Sequence, residues 1–538
     1  MCDGKVILTL PSFMPMPPTA VKNIVIHNPA TLEVVGELRS NCPEDLPQII
    51  ARARQAQEEW MRMPLRERRR KMRCLQEYVA THIDELSKVI CSETGKPRLE
   101  AVNTDLLCAL STVMYSVERM EKLFRPRRVG FGGLGPMMQY LGRRSYIQPR
   151  PVGVVAIIAP WNYPIGIPFS QAAMAVAAGN AVVLKPSSHT PFCGLEVRKA
   201  FIAAGVPENL VQVVVGSGVT IGHALVGSAV DRIIFTGSTA VGKEIMSLAA
   251  QRLTPVTLEL GGNDPMIVMA DADLERAAHA AVWGAYVNAG QTCVCVKRIY
   301  VQERVYERFL ELFKDGALRV KIGYGWDDPS VGMGPLINAA AVKDMEAQVA
   351  RAVEQGGKVL FGGRRPGLKG HFFEPTAIVD APQSSDIVQQ ETFGPIVTIQ
   401  RFRDEEEAIA MANDSSYALS GSVWTSDLAR GRHMAERMSG GTIDVNNMGY
   451  TFGLASTPWG GSRDSGFGRT HGEEGFSELL EPHHVHVDKG RFRRELWWYP
   501  YDREGLELSR GFSEITFQRR YLKVFPLIPR FRRRLKGK

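Results

Sequence analysis

The chain has 538 residues, 44% of them hydrophobic, which exceeds what one core holds and predicts two or three packed domains. Eight cysteines are too sparse for a disulfide framework and form no paired zinc-type clusters, so a reducing, cytoplasmic setting is expected. The net charge of +8 is uneven: residues 489–538 hold fifteen Lys or Arg against five Asp or Glu, a net +10, which leaves the body near −2 and without a footprint for nucleic acid.

The opening MCDGKVILTLPSFMPMPP has a short apolar run broken by prolines, no basic start and no small-residue cleavage site, so no signal peptide is expected. No window reaches the roughly 18 to 20 apolar residues of a membrane span, which leaves only peripheral attachment. Residues 44–120 place apolar side chains three and four apart, as at Leu46, Ile49, Ile50 and Ala53, and are expected to be helical. Within them RERRRKMR, 66–73, reads as a solvated helical face, since no aromatics interleave with its charges. From Pro151 the pattern changes to short β-rich runs: VGVVAIIA (152–159), AVVLK (181–185), VQVVVG (211–216) and DRIIFTG (231–237). Each is followed by turn residues and a helix-like segment, which predicts β-α-β units around a buried parallel sheet. Such sheets bind ligands at their strand C-termini, where Asn162, Lys185, Gly216 and Gly237 fall. A second α/β series, including PMIVMA (265–270), RIYV (298–301) and PIVTIQRF (395–402), spans about 260–440, so two α/β domains should border a cleft.

Within the second series lies NAGQTCVCVKR, 288–298, with Cys293 and Cys295 two positions apart. The pair alone leaves three readings: a nucleophile, metal ligands, or small buried side chains. No further cysteine or histidine stands at ligand spacing, so no metal is expected. Six motifs surround the pair: PWNYP (160–164), LKPSSHTP (184–191), FTGSTAVG (235–242), LELGG (258–262), ETFGP (391–395) and PWGGSRDSGFGR (458–469). In this order and spacing they resemble the aldehyde dehydrogenase superfamily over roughly residues 20–485.

That resemblance implies an α/β fold with a Rossmann-like dinucleotide-binding domain at 20–140 and 151–260 and a catalytic domain at 261–445. A small β oligomerisation or bridging segment is implied at 141–150 and 470–488, with 489–538 left as a basic aromatic extension. The implied reaction oxidises an aldehyde to a carboxylic acid with hydride transfer to NAD or NADP, through a cysteine thiohemiacetal and thioester. Cys293, directly after Gly290-Gln291-Thr292, takes the nucleophile's place, and Cys295 reads as a packing residue. Asn162, which alone would be an ordinary Asx-turn residue, takes the place of the oxyanion-hole asparagine. Glu259 takes the place of the general base that activates water, and its presence separates the chain from the acylating, coenzyme A-dependent branch. A carboxylate in the apolar run LELGG is costly unless it works or is paired. Cofactor contacts are implied at Trp161, Lys185, Ser188, Gly218, Gly237, Ser238, Leu260, Glu391 and Phe393. Many NAD-preferring members have a glutamate where Ser188 stands; its repulsion of a 2′-phosphate is missing here, so the expected cofactor is NAD or NADP, with the preference left open.

Thr292, Val294 and Tyr163 beside the reactive positions are uncharged, which points to an apolar aldehyde. HHVH, 483–486, reads as a strand near a subunit interface, and a homodimer or homotetramer is implied through segments near 141–150 and 482–487. The extension mixes its charges with Trp497, Trp498, Tyr499, Phe525, Leu527, Ile528 and Phe531. That mixture suits an anionic membrane surface, or an aromatic cap with a solvated basic end. The competing reading is a catalytically silent scaffold, or a binding protein tethered to membrane or RNA by this tail. The joint presence of Cys293, Glu259, Asn162, Lys185 and Glu391 argues against it, because a scaffold has no need of all five.

Overall fold

The computed structural model describes residues 23–131, 138–139, 141–518 and 525–536. The opening segment, on which the signal-peptide reading rests, lies outside them. The chain divides into two compact units, Met1–Glu118 with Val152–Leu479, and Arg119–Pro151 with Leu480–Lys538.

The first unit holds two parallel-rich sheets. One has six strands in the order Gly466–Phe467, Val256–Glu259, Arg232–Thr236, Val154–Ile158, Ala181–Lys185, Val211–Val213. Its pairs are parallel except the first, where Gly466 faces Glu259 in antiparallel register. Val154–Ile158 and Ala181–Lys185 are buried along their whole length, which explains why these runs are almost continuously apolar: helices cover both faces. Gly166–Ala177, also buried throughout, is one of those helices. The expected helical stretch begins with Leu46–Arg62, Leu65–Thr81 and Ile83–Thr94. Its first helix is tied to the sheet layer by Trp60 Nε1 donating to Val176 O (3.0 Å) and Gln57 Nε2 donating to Gly179 O (2.8 Å). The RERRRKMR run is not wholly a solvated face. Arg68 is buried and Arg69 Nε donates to Val117 O, because a helix packed on two sides turns one side of the run inward.

The other sheet has seven strands in the order Lys358–Phe361, Thr376–Val379, Ile396–Phe402, Val296–Gln302, Asp264–Val268, Ser420–Trp424, Thr442–Val445, antiparallel only at the Lys358–Phe361 edge. Its main core packs Phe309, Phe313, Tyr286 and Ile399 beside the helices Leu274–Tyr286, Tyr306–Leu318 and Ala339–Glu354.

The second unit is built on a three-stranded antiparallel sheet, ordered Leu480–Asp488, Arg143–Pro151, Arg127–Val129. Leu480–Asp488, which contains the HHVH run, is an exposed edge strand. The extension folds into helices Arg503–Phe517 and Ile528–Leu535. Arg534 is buried and donates to both oxygens of Asp502 (2.6 Å each), while Arg533 pairs with Glu504 and Arg530 with Glu507. Several of the terminal arginines are thus paired within the extension, Arg534 out of solvent and Arg533 still exposed. Among the described residues no helix is long and apolar enough to cross a membrane.

Candidate active site

The PWNYP loop follows the strand Val154–Ile158, and its shape is set by a buried ion pair. Lys96 Nζ donates to Asp105 Oδ2 (2.8 Å) and to Asn162 O (2.6 Å), and lies 4.3 Å from the centre of the Tyr163 ring. Asp105 Oδ1 accepts from the N–H groups of Ile165 (3.2 Å) and Gly166 (2.8 Å), so one carboxylate holds the end of the loop and the start of the next helix. Both side chains are at most 1% exposed. Asn162 Oδ1 accepts from Tyr163 N, and Nδ2 donates one hydrogen to Gln291 O (3.0 Å). The amide's other N–H is aimed from a backbone that cannot drift.

The cysteine loop approaches from the other side. Asn288 and Ala289 both have φ of 54°, and Gly290 has φ of 72°. Three left-handed residues in succession are strained for any side chain with a Cβ, and they persist because the surroundings hold them. Asn288 N donates to both oxygens of Glu100 (3.2 and 3.1 Å), and Asn288 Nδ2 donates to Asn162 O (3.0 Å). Gln291 accepts from Ile337 N and donates to Pro335 O. Lys297, buried, donates to Gly290 O (3.0 Å) and Gly394 O (2.7 Å). Gly262 needs its missing side chain, since a Cβ there would collide with Cys293 O. The loop presents Cys293 half-buried, whereas Cys295 is 1% exposed, its sulfur 3.9 Å from Val287 O.

Cys293 lines two cavities. The larger, about 280 Å³, is bordered by Leu107, Ile167, Trp283, Val294, Met448 and Phe452, and none of its described lining residues is charged. Leu107 and Trp283 are each nearly half exposed, which makes its surroundings apolar too. The smaller, about 20 Å³, brings Cys293 together with Glu259. Glu259 is 5% exposed, and its Oε1 has no hydrogen-bond partner. Burial raises its pKa well above the usual carboxylate range, a shift only partly offset by the charge of Arg469. Burial likewise pushes the Cys293 thiol up, and the carboxylates of Asp264, Glu259 and Glu391 add to the shift. The thiol is therefore held protonated in this state, and an oxygen able to take its proton lies across the small cavity.

The residues expected to hold a dinucleotide sit at strand ends and helix starts. Lys185 ends its strand, 3% exposed, bonded through Nζ only to Pro186 O, and burial lowers its pKa to about 8. Its side chain packs 3.6 Å from the position a Cβ would take at Gly222, in the turn that begins at Gly218, where a Cβ would meet open space. Ser238 caps the 12-residue helix Thr239–Ala250 without a side-chain cap bond, so its hydroxyl and the first-turn N–H groups are free to meet an anion. Leu260 rests on Gly242 in the first turn of the same helix. Glu391 Oε1 accepts from Gly262 N (3.1 Å), and Trp161 meets Phe393 edge to face, 5.6 Å between centroids. A buried lysine with one carbonyl partner, an uncapped helix start and an open glycine turn fit a pyrophosphate and ribose. Ser188 lines a cavity with His27, Glu93 and His371. Among the described residues no group of three His, Cys, Asp or Glu could hold a metal ion. Sequence reasoning did not single out Lys96, Asp105, Glu100, Asn288 or Lys297, which fix the two loops.

Residues 16–485 match the family model described as the aldehyde dehydrogenase family. A 4,4'-diapolycopene aldehyde oxidase from Methylomonas sp is 33% identical over 92% of this chain and 91% of its own length. A glutarate-semialdehyde dehydrogenase from Pseudomonas aeruginosa is 37% identical over 86% and 93% respectively. The crystal structure of a betaine aldehyde dehydrogenase from Staphylococcus aureus, in complex with NAD+, superposes with a TM-score of 0.83 at 33% identity, covering 89% of this chain and 96% of that one. None of these findings supports a silent scaffold or an RNA-tethered protein.

The loop geometry yields a test of the Lys96–Asp105 pair. Lys96→Met leaves a buried carboxylate without its cation and should lower stability by about 3 kcal/mol. Urea unfolding would show that loss, and the double variant Lys96→Met/Asp105→Leu should recover at least half of it. Equal loss in both would mean the pair is not what holds the loop.

Proposed function

The chain belongs to the aldehyde dehydrogenase family, and we propose on that premise that this NAD(P)-dependent enzyme oxidises uncharged, apolar aldehydes to carboxylic acids. The observation that carries the substrate class is the cavity of about 280 Å³ at Cys293, whose described lining is uncharged. A relative named for glutarate semialdehyde acts on a substrate with a second, ionised end. Burying such a carboxylate here without a partner would be costly. The relative named for 4,4'-diapolycopene aldehyde is the better guide.

In the proposed mechanism Cys293 loses its proton to Glu259, and its sulfur adds to the aldehyde carbon. The negative charge that develops on oxygen is met by the free Nδ2–H of Asn162 and the backbone N–H of Cys293, donors fixed before the reaction begins. Bound NAD or NADP supplies the acceptor for the hydride that leaves this carbon. Lys185, Gly218, Gly237, Ser238 and Leu260 would hold the adenosine and pyrophosphate end, and Trp161, Glu391 and Phe393 the nicotinamide end. The acyl group is then a thioester on Cys293. Glu259 gives the cysteine's proton to solvent, then takes a proton from water as the water oxygen bonds to the acyl carbon; the carbon–sulfur bond breaks to release the acid, and the thiolate takes the proton back from Glu259. Cys295, buried and facing neither cavity, packs only.

The same reading extends to the second unit. The exposed edge Leu480–Asp488, with Val485 37% and Val487 45% exposed, is suited to pairing with another copy in a homodimer or homotetramer. Seven free thiols among the described residues agree with a cytoplasmic enzyme. In the extension Trp497, Trp498, Tyr499 and Phe525 are each more than half exposed, next to the basic residues, which favours contact with an anionic membrane surface where apolar aldehydes dissolve.

Cys293→Ala should abolish NADH or NADPH formation, while Cys295→Ala should keep most of it, followed at 340 nm. The reverse order would reassign the nucleophile. Across an aldehyde panel, kcat/KM for a straight-chain C8 to C10 aldehyde should exceed that for succinate semialdehyde at least about 100-fold, roughly 2.7 kcal/mol in the transition state. A preference for the semialdehyde would remove the apolar substrate class. Finally, the full chain should co-sediment with phosphatidylserine vesicles at low salt, and the variant Trp497→Ser/Trp498→Ser/Phe525→Ser should bind at least about tenfold more weakly. Equal binding, or none by the unaltered chain, would leave a solvated basic end.

A further inference from the structure

The small cavity behind Cys293 gathers more unpaired polarity than the reaction as described accounts for. Four of its lining residues have a buried polar atom with no hydrogen-bond partner: Ser170 Oγ, Gln171 Oε1, Glu259 Oε1 and His471 Nδ1. All four residues are at least nine-tenths buried, at 2%, 6%, 5% and 4% exposure. Four such atoms on residues that line one space of about 20 Å³ are an anomaly, because buried polar groups are nearly always satisfied. The remaining lining, including Ile167, Leu260, Phe452 and Trp459, is largely apolar and offers them little. The volume suffices for one water, which needs roughly 10 to 15 Å³ and two to four polar partners.

The chemistry of the four atoms closes on that one molecule. A water has two hydrogens to give and two lone pairs to fill. The carboxylate oxygen of Glu259 and the amide oxygen of Gln171 accept, while the Ser170 hydroxyl and a protonated His471 Nδ1 donate. Gln171 is turned to present its oxygen because its Nε2 donates to Thr236 Oγ1 (3.2 Å). The His471 ring is set by Phe452, edge to face at 5.3 Å. Burial drops the His471 pKa to about 4, so near neutrality it is an uncharged ring with a single N–H to give.

We propose that Ser170, Gln171 and His471 are positioning residues that hold one water against Glu259 Oε1, and that this hydrogen bond keeps Glu259 ionised for the water-activating step. The inference rests on the reading of Glu259 as the base. A carboxylate pushed upward by burial, with no hydrogen-bond donor from the protein at Oε1, is a weak candidate for an ionised base. A donor at that oxygen favours the charged form. The charged and titratable groups facing Glu259 are Arg469, which also favours its ionisation, the Cys293 thiol, which opposes it when ionised, and the neutral His471. Glu259 lines this cavity and not the apolar one, which assigns it to hydrolysis rather than aldehyde entry.

The experiment uses the full chain with a saturating C8 aldehyde, reading the pre-steady-state burst of reduced cofactor and the pH midpoint of steady-state turnover. Glu259→Gln should keep a burst of about one equivalent per site and slow turnover. If it does not, the base reading fails, and this inference with it. With that control holding, His471→Phe and Gln171→Met, which keep bulk but remove a water partner, should leave burst amplitude near one equivalent and raise the turnover midpoint by about one pH unit. Ser170→Ala should do the same, and His471→Gln, which restores a donor, should return the midpoint toward that of the unaltered chain. The burst amplitude reports folded sites, so a variant that misfolds is recognised and the other two decide. Unchanged midpoints in the variants that keep their burst would overturn the water site alone, as would a high-resolution crystal structure with an empty cavity at these four atoms.

Discussion

The arrangement of reactive groups depends first on one buried ion pair, Lys96 with Asp105. The two side chains come from the segment between helices Ile83–Thr94 and Leu107–Leu123, far in sequence from the residues they organise. Taking both charges out of water is unfavourable unless every remaining donor and acceptor is satisfied. Here they are used on the backbone: Lys96 reaches Asn162 O, and Asp105 takes the N–H groups of Ile165 and Gly166. The pair therefore acts less as a source of stability than as a constraint on where Asn162 points. Asn288 makes the second link, donating to the same Asn162 carbonyl from the cysteine loop. The oxyanion donors and the sulfur are thus positioned relative to each other by two bonds on a single backbone oxygen.

That rigidity comes with an electrostatic opposition. The carboxylates of Asp264, Glu259 and Glu391 all act against a thiolate at Cys293. A site optimised for a permanently ionised cysteine would not be built this way. The arrangement suits a nucleophile that is ionised only when its proton has a destination, and Glu259 is such a destination because its own pKa has been raised by burial. Burial thus moves both groups toward their protonated, uncharged forms. The two cysteines differ in burial: Cys295 is 1% exposed and lines neither of the two cavities at Cys293.

The strands were the most legible part of the chain. Runs such as AVVLK coincide with the strand Ala181–Lys185 because a sheet covered on both faces demands uninterrupted apolar residues, a pattern with few imitators. Asn162, Lys185 and Glu259 were legible as candidates through the motifs PWNYP, LKPSSHTP and LELGG and the family they resemble; Asn162 alone reads as an ordinary Asx-turn residue. Lys96 and Asp105 carry no such signal. Each is a charged residue in a stretch full of charges, and only the tertiary fold shows that these two are buried and paired with each other. Arg68 failed in the opposite direction, read as solvated because periodicity identifies a buried side only when its residues are apolar.

The two cavities that meet at Cys293 separate the organic and aqueous halves of the proposed reaction. Hydride can leave only from the tetrahedral adduct, and water must be kept from the sulfur until the thioester exists. A wide apolar space on one side and a space of one water's size on the other satisfy both demands without a moving part. The apolar side determines which aldehydes reach the sulfur, since no described charge compensates an ionised substrate there. The polar side determines what happens afterwards, since only there do a carboxylate and unpaired donors and acceptors converge. Selectivity for substrate and commitment to hydrolysis are therefore carried by different walls of the same cysteine, and a change on one wall can alter one property while sparing the other.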